Sequence, residues 1–135
     1  MSSSLHIALV SAATAETEQV EGVHVRELTR ALGRIERQAT LYMRRHDETA
    51  PGRTKLGDGA TLIHLDAGPA RPLTDDELTP YVKDLAAELR RRWSTPQGRP
   101  DIVHAHGWIA GLAATAAARD LGISIVQSYH GLGMT

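Results

Sequence analysis

The chain has 135 residues, with 15 lysines and arginines against 16 aspartates and glutamates, a net charge of −1, and no cysteine. That length holds one domain; the charge balance gives no global field to draw in nucleic acid or an anionic membrane; and the missing thiols exclude disulfides, thiolate metal centres and a cysteine nucleophile. With no Phe, two Trp and three Tyr, the core has to be packed from Leu, Val, Ile and many Ala, which predicts modest stability.

The first element in chain order is an apolar run over residues 5–10, which reads as a buried strand. It is too short for a membrane span, and no basic stretch precedes it as in a secretory signal. A cytoplasmic protein without a transmembrane segment is expected. The linker SAATAETEQVEG follows, with three acidic residues, Glu16, Glu18 and Glu21, and one glycine, Gly22. It carries no G-x-G-x-x-G and no P-loop, so by itself it is a poor phosphate cradle and reads as an acidic loop leading into a helix.

Val25, Leu28, Leu32 and Ile35 recur at helical spacing and predict a helix over 22–35. A second strand is expected over 39–43, followed by Arg44 and Arg45. A polar loop with Pro51, Gly52, Gly57 and Gly59 comes next. The third strand is expected over 60–65, before Asp66 and Gly68; the direct link between strands two and three is open between a hairpin and a long loop.

Thr74-x-x-Glu77 is a capping box. Leu78, Tyr81, Val82, Leu85, Ala86, Leu89 and Trp93 then share one face of a predicted helix. Arg90, Arg91 and Arg92 close it, where cations suit the macrodipole. An anion patch is the functional reading of that run, and a solvated helix end is the favoured one. A fourth strand over 101–105, a helix over 109–121 closed by Gly122, and a last strand over 123–129 complete the chain. Single strands alternating with helices predict an α/β Rossmann-like three-layer domain with a mostly parallel sheet of about five strands in the order 3-2-1-4-5.

In such a sheet, ligands bind beyond the carboxyl ends of the strands. Ser11, Arg44 and Arg45, Asp66 and Gly68, His106 and Gly107, and His130 and Gly131 should therefore lie along one edge. His104 and His106 share a strand face. A metal site with His130 as third ligand is the least favoured reading, since no acidic or thiol ligand completes it. His104 reads as a hydrogen-bonded edge residue. For His106 and His130, ligand binding and a structural role stand level.

Several stretches in combination, VHVRELTRALGR, TLYMRRHDE, AGPARPLTDDEL, PDIVHAHGWIAGLAA and LGISIVQSYHGLG, resemble the acceptor domain of family-4 glycosyltransferases of the two-domain GT-B fold, in the sucrose-synthase-like and inositol-phosphate N-acetylglucosaminyltransferase-like branches. The likeness covers nearly the whole chain from Leu5 onward. It implies transfer of a sugar, with retention and without a metal, from a nucleotide-diphosphate sugar to a small-molecule acceptor hydroxyl. It implies His130 as the catalytic histidine beside the reacting sugar, and His106, Gly107, Gly131 and Asp75 on the acceptor. Gly22 and Glu21 fall in the turn that approaches the donor phosphate. No cofactor is implied beyond the donor substrate.

Set against that likeness, the family's Gly-Gly-x-Asn turn reads Gln19, Val20, Glu21, Gly22. The basic residue that meets acceptor phosphate falls at Asp75, and the glycine that commonly ends the first helix is Glu36, where a left-handed residue would cost about 1 kcal/mol. On this reading residues 1–135 are an incomplete N-terminal domain lacking the nucleotide-sugar domain. No transfer by this chain alone is expected. A homodimer or a complementing chain would use the terminal strand, whose sheet face and edge are left uncovered. The other reading is a non-catalytic binding module or a truncated remnant.

Overall fold

A computed structural model describes residues 5–15, 21–36 and 38–128. Six strands form one sheet: β1 (His6–Ser11), β2 (Gln38–Arg44), β3 (Arg53–Gly57), β4 (Ala60–Leu65), β5 (Ile102–His106) and β6 (Ser124–Ser128). The helices are α1 (Val23–Glu36), α2 (Asp75–Leu78), α3 (Val82–Trp93) and α4 (Trp108–Leu121). The strand order is β3-β4-β2-β1-β5-β6. All neighbours pair in parallel except β3, which is antiparallel to β4. Leaving β3 aside, this is the expected order 3-2-1-4-5.

The sixth strand corrects the expected polar loop. Residues 53–57 alternate exposed and half-buried, as an edge strand does, with Thr54 and Leu56 turned inward. Asp58 and Gly59 (φ 73°) join it to β4 as a two-residue hairpin. The long helix expected after Thr74 is also divided. The capping box is present, with Thr74 Oγ1 accepting from the Glu77 amide and Glu77 Oε1 accepting from the Thr74 amide. α2 then gives way to a 3₁₀ turn at Thr79–Tyr81 before α3 begins. Pro80 supplies no amide for an α-helical bond, and the turn carries the chain past it.

The sheet is covered on both faces. α3 and α4 bury Ala8, Val10, Tyr42, Ile63, Leu65, Val103 and Ala105 together with Leu85, Leu89 and Trp93. α4 contributes mainly alanines, Ala110, Ala113, Ala114, Ala117 and Ala118, all at most 1% exposed. Such small side chains let helix and sheet approach closely, so density rather than bulk stands in for the missing Phe. α1 covers the other face over Leu9, Leu41, Met43 and Leu62. Glu36 is the last residue of α1, and Ala13 (φ 56°) is the one non-glycine with positive φ among the described residues. Gly122 closes α4 in the left-handed conformation. At the edge strand β6, Val126 is 49% exposed. No described helix is long and apolar enough to cross a membrane.

Candidate functional site

The parallel strands end in register. Ser11 lies level with Met43 and with His106, His106 with Ser128, and Arg44 with Leu65. The turns that leave these strands therefore meet at one edge, and a small cleft opens there between the start of α4, the start of α2 and the chain leaving β1. Glu21, Asp75, His106, Gly107 and Trp108 line it, and its volume is about 30 Å³. That is the share of one water molecule in the liquid.

The buried groups are tied to one another. Ser11 Oγ donates to Oε2 of Glu21 at 3.1 Å, and both residues are buried. Gly107 precedes α4 with φ 90°, a conformation that favours glycine. A Cβ at Gly107 would lie 3.5 Å from Glu21 Oε1. The Glu21 carboxylate thus stands beside the start of α4, where the positive end of the helix dipole favours an anion. Gly22 is buried at the start of the helical segment leading into α1. Across the cleft, Trp108 Nε1 donates to Oδ2 of Asp75 at 3.2 Å, joining α4 to α2. The Ala15 amide donates to the Leu73 carbonyl at 2.8 Å and fixes the approach to α2 from β1.

His106 is 1% exposed. Its ring lies 4.1 Å from that of His104 and 6.4 Å, edge-on, from that of His24. His104 Nε2 and Ser128 Oγ are 2.7 Å apart, which ties β5 to β6. Among the described residues, no group of three His, Asp or Glu is arranged to hold a metal ion. His130 and Gly131 lie outside the described residues. The structure therefore brings Glu21, Asp75, His106 and Gly107 to one cleft, with Gly22 next to it in the chain.

One residue at this edge has a part that its position in the sequence does not signal. Arg44 is fully buried, and its guanidinium donates to the carbonyls of Ala67 (3.3 Å), Pro69 (2.8 Å) and Arg71 (2.6 Å). Burial, and then Arg71, push the guanidinium below its ordinary value. Arg44 is thus the inner support of the loop that carries the chain to Asp75, and does not line the cleft. Its neighbour Arg45 faces outward, donating to Oδ1 of Asp66 at 2.8 Å and to the Ala50 carbonyl. Because side chains alternate along a strand, two adjacent arginines at a strand end point opposite ways, and one of them has to be buried. That alternation is the signal that could have separated them.

Residues 21–135 match the model of a glycosyl transferase 4-like domain. A D-inositol 3-phosphate glycosyltransferase of Frankia alni is 31% identical over 111 residues, covering 82% of this chain and 27% of the relative. D-inositol 3-phosphate glycosyltransferase 1 of Catenulispora acidiphila is 30% identical over 135 residues, covering 95% of this chain and 31% of the relative. The chain thus spans under a third of the length of these curated relatives. Among solved structures, a sucrose-phosphate synthase from Thermosynechococcus elongatus superposes with a TM-score of 0.84 at 19% identity, over 96% of this chain and 34% of that one. That likeness is one of fold.

Proposed function

The chain belongs to the glycosyl transferase 4-like family, and we propose that it is the acceptor-side part of a retaining glycosyltransferase that moves a sugar from a nucleotide-diphosphate sugar to an acceptor hydroxyl. The observation that carries this reading is the convergence of Glu21, Asp75, His106 and Gly107 on one cleft beyond the carboxyl ends of β1 and β5. That is where an open α/β sheet binds ligands. A buried imidazole and two carboxylates can accept from or donate to sugar hydroxyls, and the tethers among them hold the groups in place before a ligand arrives.

The volume sets a limit on what the chain does alone. A cleft of about 30 Å³ is far below the roughly 300 Å³ at which small-molecule sites begin. The described residues thus offer one wall of a site. We propose that a nucleotide-sugar-binding domain forms the opposing wall, and that no transfer occurs without it. The chemistry proposed for the completed site is metal-independent.

The charge of the wall points to the acceptor. Glu21 and Asp75 put two carboxylates on the lining, and among the described residues no arginine or lysine joins them. A carboxylate accepts from a hydroxyl and repels a phosphate. Although the relatives named above are inositol 3-phosphate enzymes, the acceptor proposed here is an uncharged polyol. Calorimetry of the purified chain against inositol, inositol 3-phosphate, UDP and UDP-N-acetylglucosamine tests this, repeated with His106→Ala and Asp75→Lys. Inositol should bind, and His106→Ala should abolish it. Asp75→Lys should shift preference to the phosphate by about tenfold, as one charge-assisted hydrogen bond gained would give. Tight binding of inositol 3-phosphate by the unaltered chain would refute the polyol assignment.

A second reading is supported by the Glu21 carboxylate. It occupies the start of α4, where an incoming phosphate would otherwise meet free amides. A module that binds a partner or small ligand without catalysis fits that occupancy. Absence of binding by all four compounds in a chain that melts cooperatively would favour it.

A further inference from the structure

The three consecutive arginines near the end of α3 part company in the structure. Arg90 pairs with Asp120 of α4 at 3.0 Å. Arg91 and Arg92 share a single carboxylate, Glu88, at 2.8 and 3.9 Å. The second distance is beyond hydrogen-bond reach, and the buried Nε of Arg92 has no hydrogen-bond partner among the described residues.

Arg91 and Arg92 border a cavity of about 360 Å³ together with Arg53 of β3, with His6 at the start of β1, and with Thr40 and Tyr42 of β2. No acidic side chain lines it, and Arg53 has no carboxylate partner among the described residues. The cavity lies at the opposite end of the sheet from the cleft described above. His6 opens β1 and Ser11 closes it, a separation of about 16 Å along the strand.

The walls are basic without help from histidine. His6 Nδ1 lies 3.3 Å from the Arg99 carbonyl, which can only accept, so Nδ1 carries the proton and Nε2 accepts from Thr40 Oγ1 at 3.2 Å. Burial lowers the His6 pKa, and the ring is neutral at pH 7. The guanidinium groups act from two elements on one point. Burial raises the Tyr42 pKa, while Trp93, Arg92 and Arg53 pull it down. Three guanidinium charges less the Glu88 carboxylate leave +2 at the cavity.

We propose that this cavity is a second ligand site, and that it takes a phosphate monoester whose dianion bridges Arg53 and Arg92 while its carbon body lies on Ile63 and Tyr42. Arginine forks match phosphate oxygens two at a time. A phosphate monoester carries close to two negative charges at neutral pH, and so neutralises the site where a carboxylate would leave it cationic. The volume falls within the range of small-molecule sites. A basic helix end alone would give charge on one element, whereas here the charge is shared between α3 and the edge strand β3 on either side of the cavity.

The test is a two-dimensional amide NMR titration of the purified chain with glycerol 3-phosphate, inorganic phosphate and glycerol, at constant ionic strength. Saturable shifts at residues 38–42, 61 and 91–98 are expected with glycerol 3-phosphate, weaker binding with inorganic phosphate, and none with glycerol. Arg53→Gln and Arg92→Gln should each weaken binding about tenfold or more. Arg119→Gln, an exposed arginine on α4, should leave it unchanged. Shifts scattered over the surface arginines, equal affinity for the two phosphates, or equal loss in Arg119→Gln would each overturn the proposal. If Arg92→Gln does not fold, unchanged affinity in Arg53→Gln, at an exposed edge, overturns it alone.

Discussion

At the carboxyl edge of the sheet the described side chains leave about 30 Å³, bordered by the carboxylates of Glu21 and Asp75; at the amino edge of the same strands they leave about 360 Å³, bordered by three guanidinium groups. The difference in sign follows from how the chain is wound. Right-handed crossovers set the helices antiparallel to the strands they follow, so helix N-termini gather at the carboxyl edge and C-termini at the amino edge. The dipoles then favour acids at one end and bases at the other. The last turns of α1, α3 and α4 all carry arginine: Arg34, Arg90 to Arg92 and Arg119. The difference in room has a separate origin. At the carboxyl edge the loops are laced together, by Arg44 to residues 67–71, by Trp108 to Asp75 and by Ala15 to Leu73.

The sharpest way to break this contrast is to cut the largest tether. Arg44→Met keeps most of the side-chain length but leaves three carbonyls, those of Ala67, Pro69 and Arg71, without their donor. The bond to Ala67 is buried, while those to Pro69 and Arg71 are part-buried and open to water once freed; an unmet buried acceptor costs about 1–3 kcal/mol, and a loss of about 2–3 kcal/mol in urea unfolding is expected. Amide exchange should rise at residues 67–75 and stay level at the amino edge. Equal loosening of both edges would show that Arg44 supports the whole fold and not one loop.

Gly107→Ala is a smaller cut at the same edge. The position needs φ near 90°, while the new methyl would stand in ordinary contact with the Glu21 carboxylate at 3.5 Å, so the cost comes from the backbone. Holding a residue other than glycine there costs about 1–3 kcal/mol. A melting temperature lower by several degrees is expected. An unchanged melting temperature would mean that this turn adapts, and that the carboxyl edge is less rigid than its tethers suggest.

The two edges were also unequally legible in the sequence. Periodicity and turn chemistry reveal the five parallel strands in order, the capping box at Thr74 and the left-handed Gly122, because each depends on neighbours within a few residues. β3 is hard to read in the sequence because Arg53, Lys55 and Gly57 leave only Thr54 and Leu56 to mark a strand, although Asp58-Gly59 is a strong hairpin signal. At the carboxyl edge, His106 and Gly107 could be brought together from the rule that ligands bind beyond strand ends, whereas Asp75 is pointed to only by the family resemblance. The carbonyl partners of Arg44 and the inward turn of Glu21 could not, since the groups they meet lie 23 to 27 and 10 residues away. The basic cavity was legible only as the run Arg90 to Arg92. What gives it a second basic wall is Arg53, carried there by β3.

The smallest expected effect belongs to the amino edge and concerns pH. Burial holds the His6 pKa below its ordinary 6.5, outweighing the Arg99 carbonyl and Asp101. A histidine whose folded pKa is depressed takes up its proton more readily in the unfolded chain. Between the two pKa values the unfolded state binds more protons, so stability falls as pH drops below about 6.5 and is fully present above it. Protonation would also place a second hydrogen on Nε2 opposite the Thr40 hydroxyl, which would have to turn to accept. Urea unfolding from pH 7.5 to pH 5 should therefore show a decline that begins near 6.5, above the range where carboxylates titrate. His6→Gln should flatten that upper part and leave the lower part in place. A profile identical in the variant would assign the decline to the other histidines, and would mean that the neutral ring does not help to hold the amino edge together.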